Sequence, residues 1–368
     1  MKVLICGVLA GGTLALVLFS RRRDLLDEPG TLSPSTTDDL LIPHLKFVYG
    51  DEIAEMLQNS SYAPNLTPRW RSCGAVPKRL HQTWMNSTIP PALSASPVSW
   101  SKVYPDWEYW FWTDELADQF VARRFPKYVE LYRSYKLGIM RADAFRYFVL
   151  YEYGGVYADM DVVVFRRFDR LLEAHTALIP EDHPIHSRLV FNRHQITPLN
   201  SFMVSTPGHP AIGAIIEALP ERNRATRPTT VLSKTGPFMI SVALDRYEQE
   251  RVRGRQLWRV CDAIYIPSHH RFNPHFDETN IRMLKRICQK KKSSMPESKN
   301  WCSYLIKSGY ANQPVPDSAY TVHNFVHTSL IDISKVPGAP RSIDSIAPKR
   351  VDVRKLVSLI DKPNSSIG

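Results

Sequence analysis

The chain changes texture twice along its length. From Val3 to Phe19 apolar residues run without a charge, between Lys2 and the Arg21-Arg22-Arg23 triplet. At ~1.5 Å per residue this stretch reaches about 25 Å, near the lower limit for a bilayer crossing. Residues 24–75 are then rich in Ser, Thr, Pro and Asp, with one short amphipathic run from Asp51 to Gln58, which is the texture of a stem. From Val76 short apolar runs alternate with amphipathic stretches. Arg79–Thr83, after Pro77, reads as a first strand, and Trp107–Trp112, after Pro105-Asp106, as a second. Thr113-Asp114-Glu115 supplies a capping residue and early acids for a helix. A later helix runs up to Gly154-Gly155, where a left-handed cap is needed before the strand Val156–Val164. Strands alternating with helices predict an α/β fold with a largely parallel sheet. After about residue 330 the chain turns polar and Pro-rich. The predicted plan is a stub and anchor over 1–23, a stem over 24–75, a folded body over 76–330 and a polar tail over 331–368.

The leading apolar segment has two readings, a cleaved signal peptide and an uncleaved signal-anchor. The anchor is favoured, because Leu18 stands where cleavage after Ser20 would want a small residue. The charge balance around it, Lys2 against three arginines, by itself favours the reverse topology. Four sequons, beginning at Asn59, Asn65, Asn86 and Asn364, tilt the reading toward a luminal body. Setting aside Cys6, the cysteines Cys73, Cys261, Cys288 and Cys302 are even in number and permit three pairings. Cys288 with Cys302, closing a short basic loop, is the preferred pair, and four free thiols remain the competing reading.

Composition narrows the partners. With 43% apolar and 11% aromatic residues among 368, the chain is not disordered as a whole. A net charge of +11 points to an anionic partner, and composition does not choose among nucleic acid, membrane surface and phosphorylated substrate. Two basic clusters stand out, Arg251, Arg253, Arg255 and Arg259, and Lys285 to Lys292. Neither comes with a nucleic-acid motif or interleaved aromatics, so no nucleic-acid partner is expected. A solvated face is the plain reading of both, and contact with anionic lipid the functional one.

The stretch that carries chemistry is Met140–Phe165, MRADAFRYFVLYEYGGVYADMDVVVF. On its helix Asp143, Arg146 and Tyr147 share a face through their three- and four-residue spacing. On a continuous strand Tyr157, Asp159, Asp161 and Val163 would all point to one side. Two carboxylates on one face of an apolar strand demand either a strongly raised pKa or a cation. Hard oxygen ligands suit Mn²⁺ or Mg²⁺, and a metal held this way can grip a diphosphate on its far side. Glu181 and Asp182, after an apolar run ending at Pro180, are either further carboxylates of the site or an acidic loop, and the loop is favoured.

The segments HQTW (81–84), FWTDE (111–115), RADAFRYFVLYEYGGVYADMD (141–161) and TGPFM (235–239) occur in this order. Together they resemble the Asp-x-Asp sugar-binding glycosyltransferases of family 32 type. Within that group the resemblance is to the inositol-phosphoceramide mannosyltransferases, whose helix also reads Arg-Ala-Asp-Ala-x-Arg-Tyr, and to the initiation-specific α-1,6-mannosyltransferases. It covers roughly residues 76–330 and is strongest over 76–165.

The resemblance implies a GT-A type fold, with a Rossmann-like mixed sheet flanked by helices, a divalent cation (Mn²⁺ or Mg²⁺), and transfer with retention of configuration. It makes Asp159 and Asp161 the metal and donor motif, and gives Asp143 and Arg146 to the donor sugar and diphosphate. Arg141 would add positive charge. His81, Gln82 and Trp84 would meet the nucleotide, and Tyr157, Asn200 and Gly236 would complete the donor site. Relatives often finish with a His-His-Trp segment at the metal. Here Val322–His327 stands in its place without the Trp, and His323 is the candidate third ligand. The implied donor is GDP-mannose, with a UDP-sugar as the alternative, and the implied acceptor is an inositol-phosphoceramide, another glycolipid or a glycan. A catalytically silent sugar-nucleotide-binding protein is the competing class, and assembly with further copies of the chain stays open. The implied address is the Golgi membrane, single-pass type II with a luminal body, with the endoplasmic reticulum as the other option.

Overall fold

In a computed structural model the described residues are 74–193, 197–224, 230–253, 260–289, 296–326, 338–347, 350–351 and 353. The expected anchor, the stem, Cys73, His327 and most of the tail lie outside them. Among the described residues no helix is long and apolar enough to cross a membrane. The described residues all fall in one compact unit.

Strand β1 (Arg79–Trp84) is followed by helix α1 (Ala95–Val103), strand β2 (Glu108–Thr113) and helix α2 (Asp114–Arg124). Thr113 caps α2 as its sequence predicts, its side chain accepting from the Leu116 amide, with Asp114 and Glu115 in the first turn. Helix α3 (Gly138–Tyr153) then leads into β3 (Gly155–Ala158) and β4 (Val162–Val164). Strands β5 (Ala177–Leu178) and β6 (Phe202–Ser205) precede helices α4 (Pro210–Arg224) and α5 (Pro237–Arg253). Helices α6 (Ile281–Gln289) and α7 (Pro296–Lys307) follow, then strands β7 (Thr321–His323) and β8 (Arg350–Val351).

The main sheet is mixed, in the order β8-β2-β1-β3-β6-β5. Its first four strands run parallel, β6 is antiparallel to β3, and β5, antiparallel to β6, returns to the direction of the first four. The sheet is buried on both faces, as a parallel sheet requires. On β2, Trp110 and Trp112 enter one apolar cluster with Phe120, Phe145 and Phe148, while Tyr109 and Phe111 enter another with Trp100 and Phe202. Helix α3 packs into the first cluster so completely that every residue from Asp143 to Leu150 is buried. A smaller third cluster joins Ile185, Leu189, Phe276, Leu284 and Leu305 beneath α6 and α7, whose ends are tied by the expected Cys288–Cys302 disulfide.

Two features depart from the sequence reading. The predicted single strand Val156–Val164 is two strands in two sheets. Between them the Val162 amide returns to the Asp159 carbonyl at 3.0 Å, and β4 pairs antiparallel with β7. The sheet also extends beyond residue 330. Arg341–Ser342 pairs with Thr88–Ile89, Ile343 is fully buried, and β8 lies parallel to β2.

Candidate metal centre

The site forms where β3 ends. Gly154 and Gly155 turn the chain out of α3 with φ of 61° and 98°, a region that costs an L side chain strain, and the Gly154 amide closes on the Leu150 carbonyl. Strand β3 then delivers Asp159, whose amide donates to the Ser201 carbonyl at 2.8 Å. The turn brings Asp161 alongside it. The register of β4 on β7, Val162 opposite His323, presents an imidazole to the same place. Ligand atoms of Asp159, Asp161 and His323 all lie within 4.8 Å of one another. Two carboxylates and one imidazole form a donor set that fits a divalent cation such as Mn²⁺.

Both carboxylates are held by partners outside the trio. Asp161 receives the Val326 amide at 2.9 Å on one oxygen and faces His323 Nε2 at 3.2 Å on the other. Burial works against its charge, but His323 and the Val326 amide outweigh it and hold the carboxyl at about 2. Burial likewise opposes the His323 cation, and Asp161 overrides it, raising the imidazole pKa. Asp159 is raised by burial, against the pull of Arg146.

Arg146 lies behind the ligands. It is 3% exposed and reaches Asp143 at 3.0 Å, both oxygens of Asp159 at 3.2 and 3.3 Å, and the Asn200 carbonyl. The Tyr157 ring stacks on its guanidinium, and the Tyr157 hydroxyl donates to Asp159 at 3.0 Å. Asp143 accepts from Asn200 Nδ2 at 2.8 Å and from the Thr235 hydroxyl at 2.9 Å. Its burial raises its carboxyl to about 6.

Several residues expected at the donor lie elsewhere or act indirectly. His81 is fully buried, and its ring nitrogens are used by the Gly154 carbonyl and the Trp112 indole N–H. Burial lowers its pKa to about 3. Gln82 is fully buried as well. It donates to Ser96 and to the Ala158 and Asp159 carbonyls, and accepts from the Tyr109 hydroxyl. Both residues therefore support the turn from beneath and offer no surface to a nucleotide. The same holds for Arg146 and Tyr157, which position Asp159 from the interior. Trp84, half-buried against the second cluster, ends β1. Arg141 donates to the Tyr135 carbonyl at 2.7 Å. Gly236 acts through its backbone, its amide closing the turn on the Val231 carbonyl before α5. Glu181 and Asp182 are no solvated loop, since they pair with His269 and His186 at 2.8 Å each. Thr235 and the Val326 amide were not singled out in the sequence, whereas Tyr147, which accepts from Asn200 Nδ2 at 3.3 Å, stands on the helix face the spacing gave it. Thr235 stands in the quoted TGPFM segment, and only the fold shows that its hydroxyl meets Asp143.

A buried carboxylate–guanidinium network thus stands behind an Asp-x-Asp turn. Residues 91–178 match the family Glycosyltransferase sugar-binding region containing DXD motif, so this chain carries that region, with Asp159 and Asp161 inside it. Among curated proteins the chain is 33% identical over 202 residues to Inositol phosphoceramide mannosyltransferase 3 of Schizosaccharomyces pombe, covering 54% of this chain and 53% of that protein. It is 28% identical over 221 residues to Mannosyl phosphorylinositol ceramide synthase SUR1 of Saccharomyces cerevisiae, covering 60% and 54%. To the Initiation-specific alpha-1,6-mannosyltransferase of Saccharomyces cerevisiae it is 24% identical over 201 residues, covering 52% and 42%. The chain thus spans about half the length of the curated relatives it matches.

Proposed function

We propose that this chain is a retaining, metal-dependent glycosyltransferase of GT-A type that moves mannose from GDP-mannose to an inositol-phosphoceramide or related glycolipid. The observation that carries the reading is the convergence of Asp159, Asp161 and His323 at the end of a matched sugar-binding region. The names of the relatives support mannose and inositol phosphoceramide as donor sugar and acceptor. We place the protein in the Golgi membrane, with residues 1–23 as anchor and the body in the lumen.

Asp159, Asp161 and His323 would hold Mn²⁺ or Mg²⁺. A cation there supplies positive charge to the departing nucleoside diphosphate. The chain's own part is rigidity. Arg146 offsets the charges of Asp143 and Asp159, Gln82 fixes the Asp159 carbonyl, and the Val326 amide fixes Asp161. Ligands held in one arrangement need no reorganisation when charge develops on the leaving group.

The test is nucleotide release by the purified protein from GDP-mannose and from UDP-galactose, UDP-glucose and UDP-N-acetylglucosamine, with Mn²⁺ and with a chelator. Release from GDP-mannose, abolished by chelation and lowered at least about a hundredfold in Asp161→Asn, is the expected result. Release from a UDP-sugar instead would overturn the donor. Full turnover in Asp161→Asn would overturn the metal centre.

A further inference from the structure

Helices α6 and α7 each have one face turned into the third cluster and one turned away from it. On α6 the inner residues are Ile281, Leu284, Ile287 and Cys288, and on α7 they include Trp301, Cys302 and Leu305. The outer face of α6 carries Arg282, with Lys285 and Arg286 three and four residues after it, all exposed. The outer face of α7 carries exposed Lys299 and Lys307. Neither helix has an acidic residue apart from Glu297. Among these cations sit two exposed apolar side chains, Ile306 at 61% exposure and Met283 at 37%. Solvated helical faces are normally mixed in sign and polar. A face of one sign that also shows branched and thioether side chains to solvent is built for a different neighbour.

We propose that the outer face of the disulfide-tied α6–α7 pair docks on an anionic lipid surface. Arg282, Lys285, Arg286, Lys299 and Lys307 would meet lipid phosphates and carboxylates, each basic residue near such a surface adding an increment of attraction. Ile306 and Met283 would enter the boundary between headgroups and acyl chains. The Cys288–Cys302 bond keeps the two helices presenting these side chains together. This proposal does not depend on the transferase reading, because it concerns a face built on a separate cluster.

The experiment is amide hydrogen exchange on the full chain reconstituted in two kinds of vesicle. One is phosphatidylcholine alone, the other phosphatidylcholine with phosphatidylserine at about three to one. The apolar N-terminal stretch is present in both, so only a difference confined to α6 and α7 is informative. Slower exchange in α6 and α7 on the anionic vesicles alone, lost at high salt and in an Arg282→Glu/Lys285→Glu/Arg286→Glu variant, is expected. The three altered side chains are exposed, and exchange elsewhere in the body reports that the variant is folded. Equal exchange on both vesicles would overturn the proposal, as would protection that survives the three reversals.

Discussion

Arg146 is the residue on which the centre turns. Asp143 and Asp159 approach it from a helix and from a strand end, and their mutual repulsion is tolerated because one buried guanidinium lies between them. Arg146→Met keeps the stem of the side chain and removes the charge, leaving two buried carboxylates uncompensated. Breaking a buried pair in this way costs about 3–5 kcal/mol, so chemical denaturation should show a loss of that order. Thr235→Val, which removes a single hydroxyl from Asp143, should cost only about 1–3 kcal/mol in the same measurement. At this scale the sequence was legible wherever spacing carries geometry. Asp143 and Arg146 stand one helical turn apart, and Asp159 and Asp161 flank a single residue. It was not legible at His81 and Gln82, because a side chain bonded beneath a strand and one facing a ligand look alike in a lone sequence.

At the scale of elements, the turn at Asp159–Met160–Asp161 shows how a pattern misleads. The segment VYADMDVVV alternates well enough to pass for one strand. Its two halves bond to different partners, β3 to β1 and β6, β4 to β7. Strand propensity is a statement about packing surfaces, and the long-range partner that splits this run lies more than 150 residues further along the chain. The helix end before it was readable, since two consecutive glycines there answer a steric demand. A Cβ on Gly155 would come within 2.6 Å of the Arg79 carbonyl oxygen, and one on Gly154 within 2.5 Å of Pro207. Gly155→Ala should therefore lower stability by about 2 kcal/mol or more. Gly309→Ala, also at positive φ but with nothing within 4 Å of the added methyl, should cost only about 1 kcal/mol. Equal losses in the two variants, measured by urea unfolding, would show that backbone strain rather than the contact at Arg79 governs both.

At the scale of the whole molecule, the body stores histidines in neutral form. Burial lowers His81 to about 3 and His209 to about 4, and takes His183 well below its ordinary value. Unfolding exposes them to water, where they protonate near 6.5. Below that pH the unfolded chain binds more protons than the folded one, so stability falls as pH drops from 6.5 toward the folded values. Each group contributes up to about 1.4 kcal/mol per pH unit in that window. Between pH 7 and pH 4.5 these three histidines should pull thermal melts downward, while Asp143, raised to about 6, and the raised His323 act in the opposite sense, so replacing Asp143 by Asn should steepen the fall. An α/β fold with a largely parallel sheet followed from alternating strands and helices, and its mixed character only from the family resemblance. The return of the chain at 341–351 did not, because a short polar segment after a Pro-rich stretch carries no periodicity of its own. A chain ending at 330 would lose β8 from the edge of β2 together with buried Ile343, Ile346 and Val353. It should melt lower and aggregate through the freed edge, which scattering during a melt would report.

Asp159 and Asp161 leave the ribosome more than 150 residues ahead of His323. Loop closure over that distance must await the later segment, so a nascent chain holds the two carboxylates through about 160 further residues of synthesis without the imidazole that completes the trio. Competence to capture a cation with all three ligands thus arrives with that later segment, and a product terminated before it would carry the Asp-x-Asp turn without the finished centre.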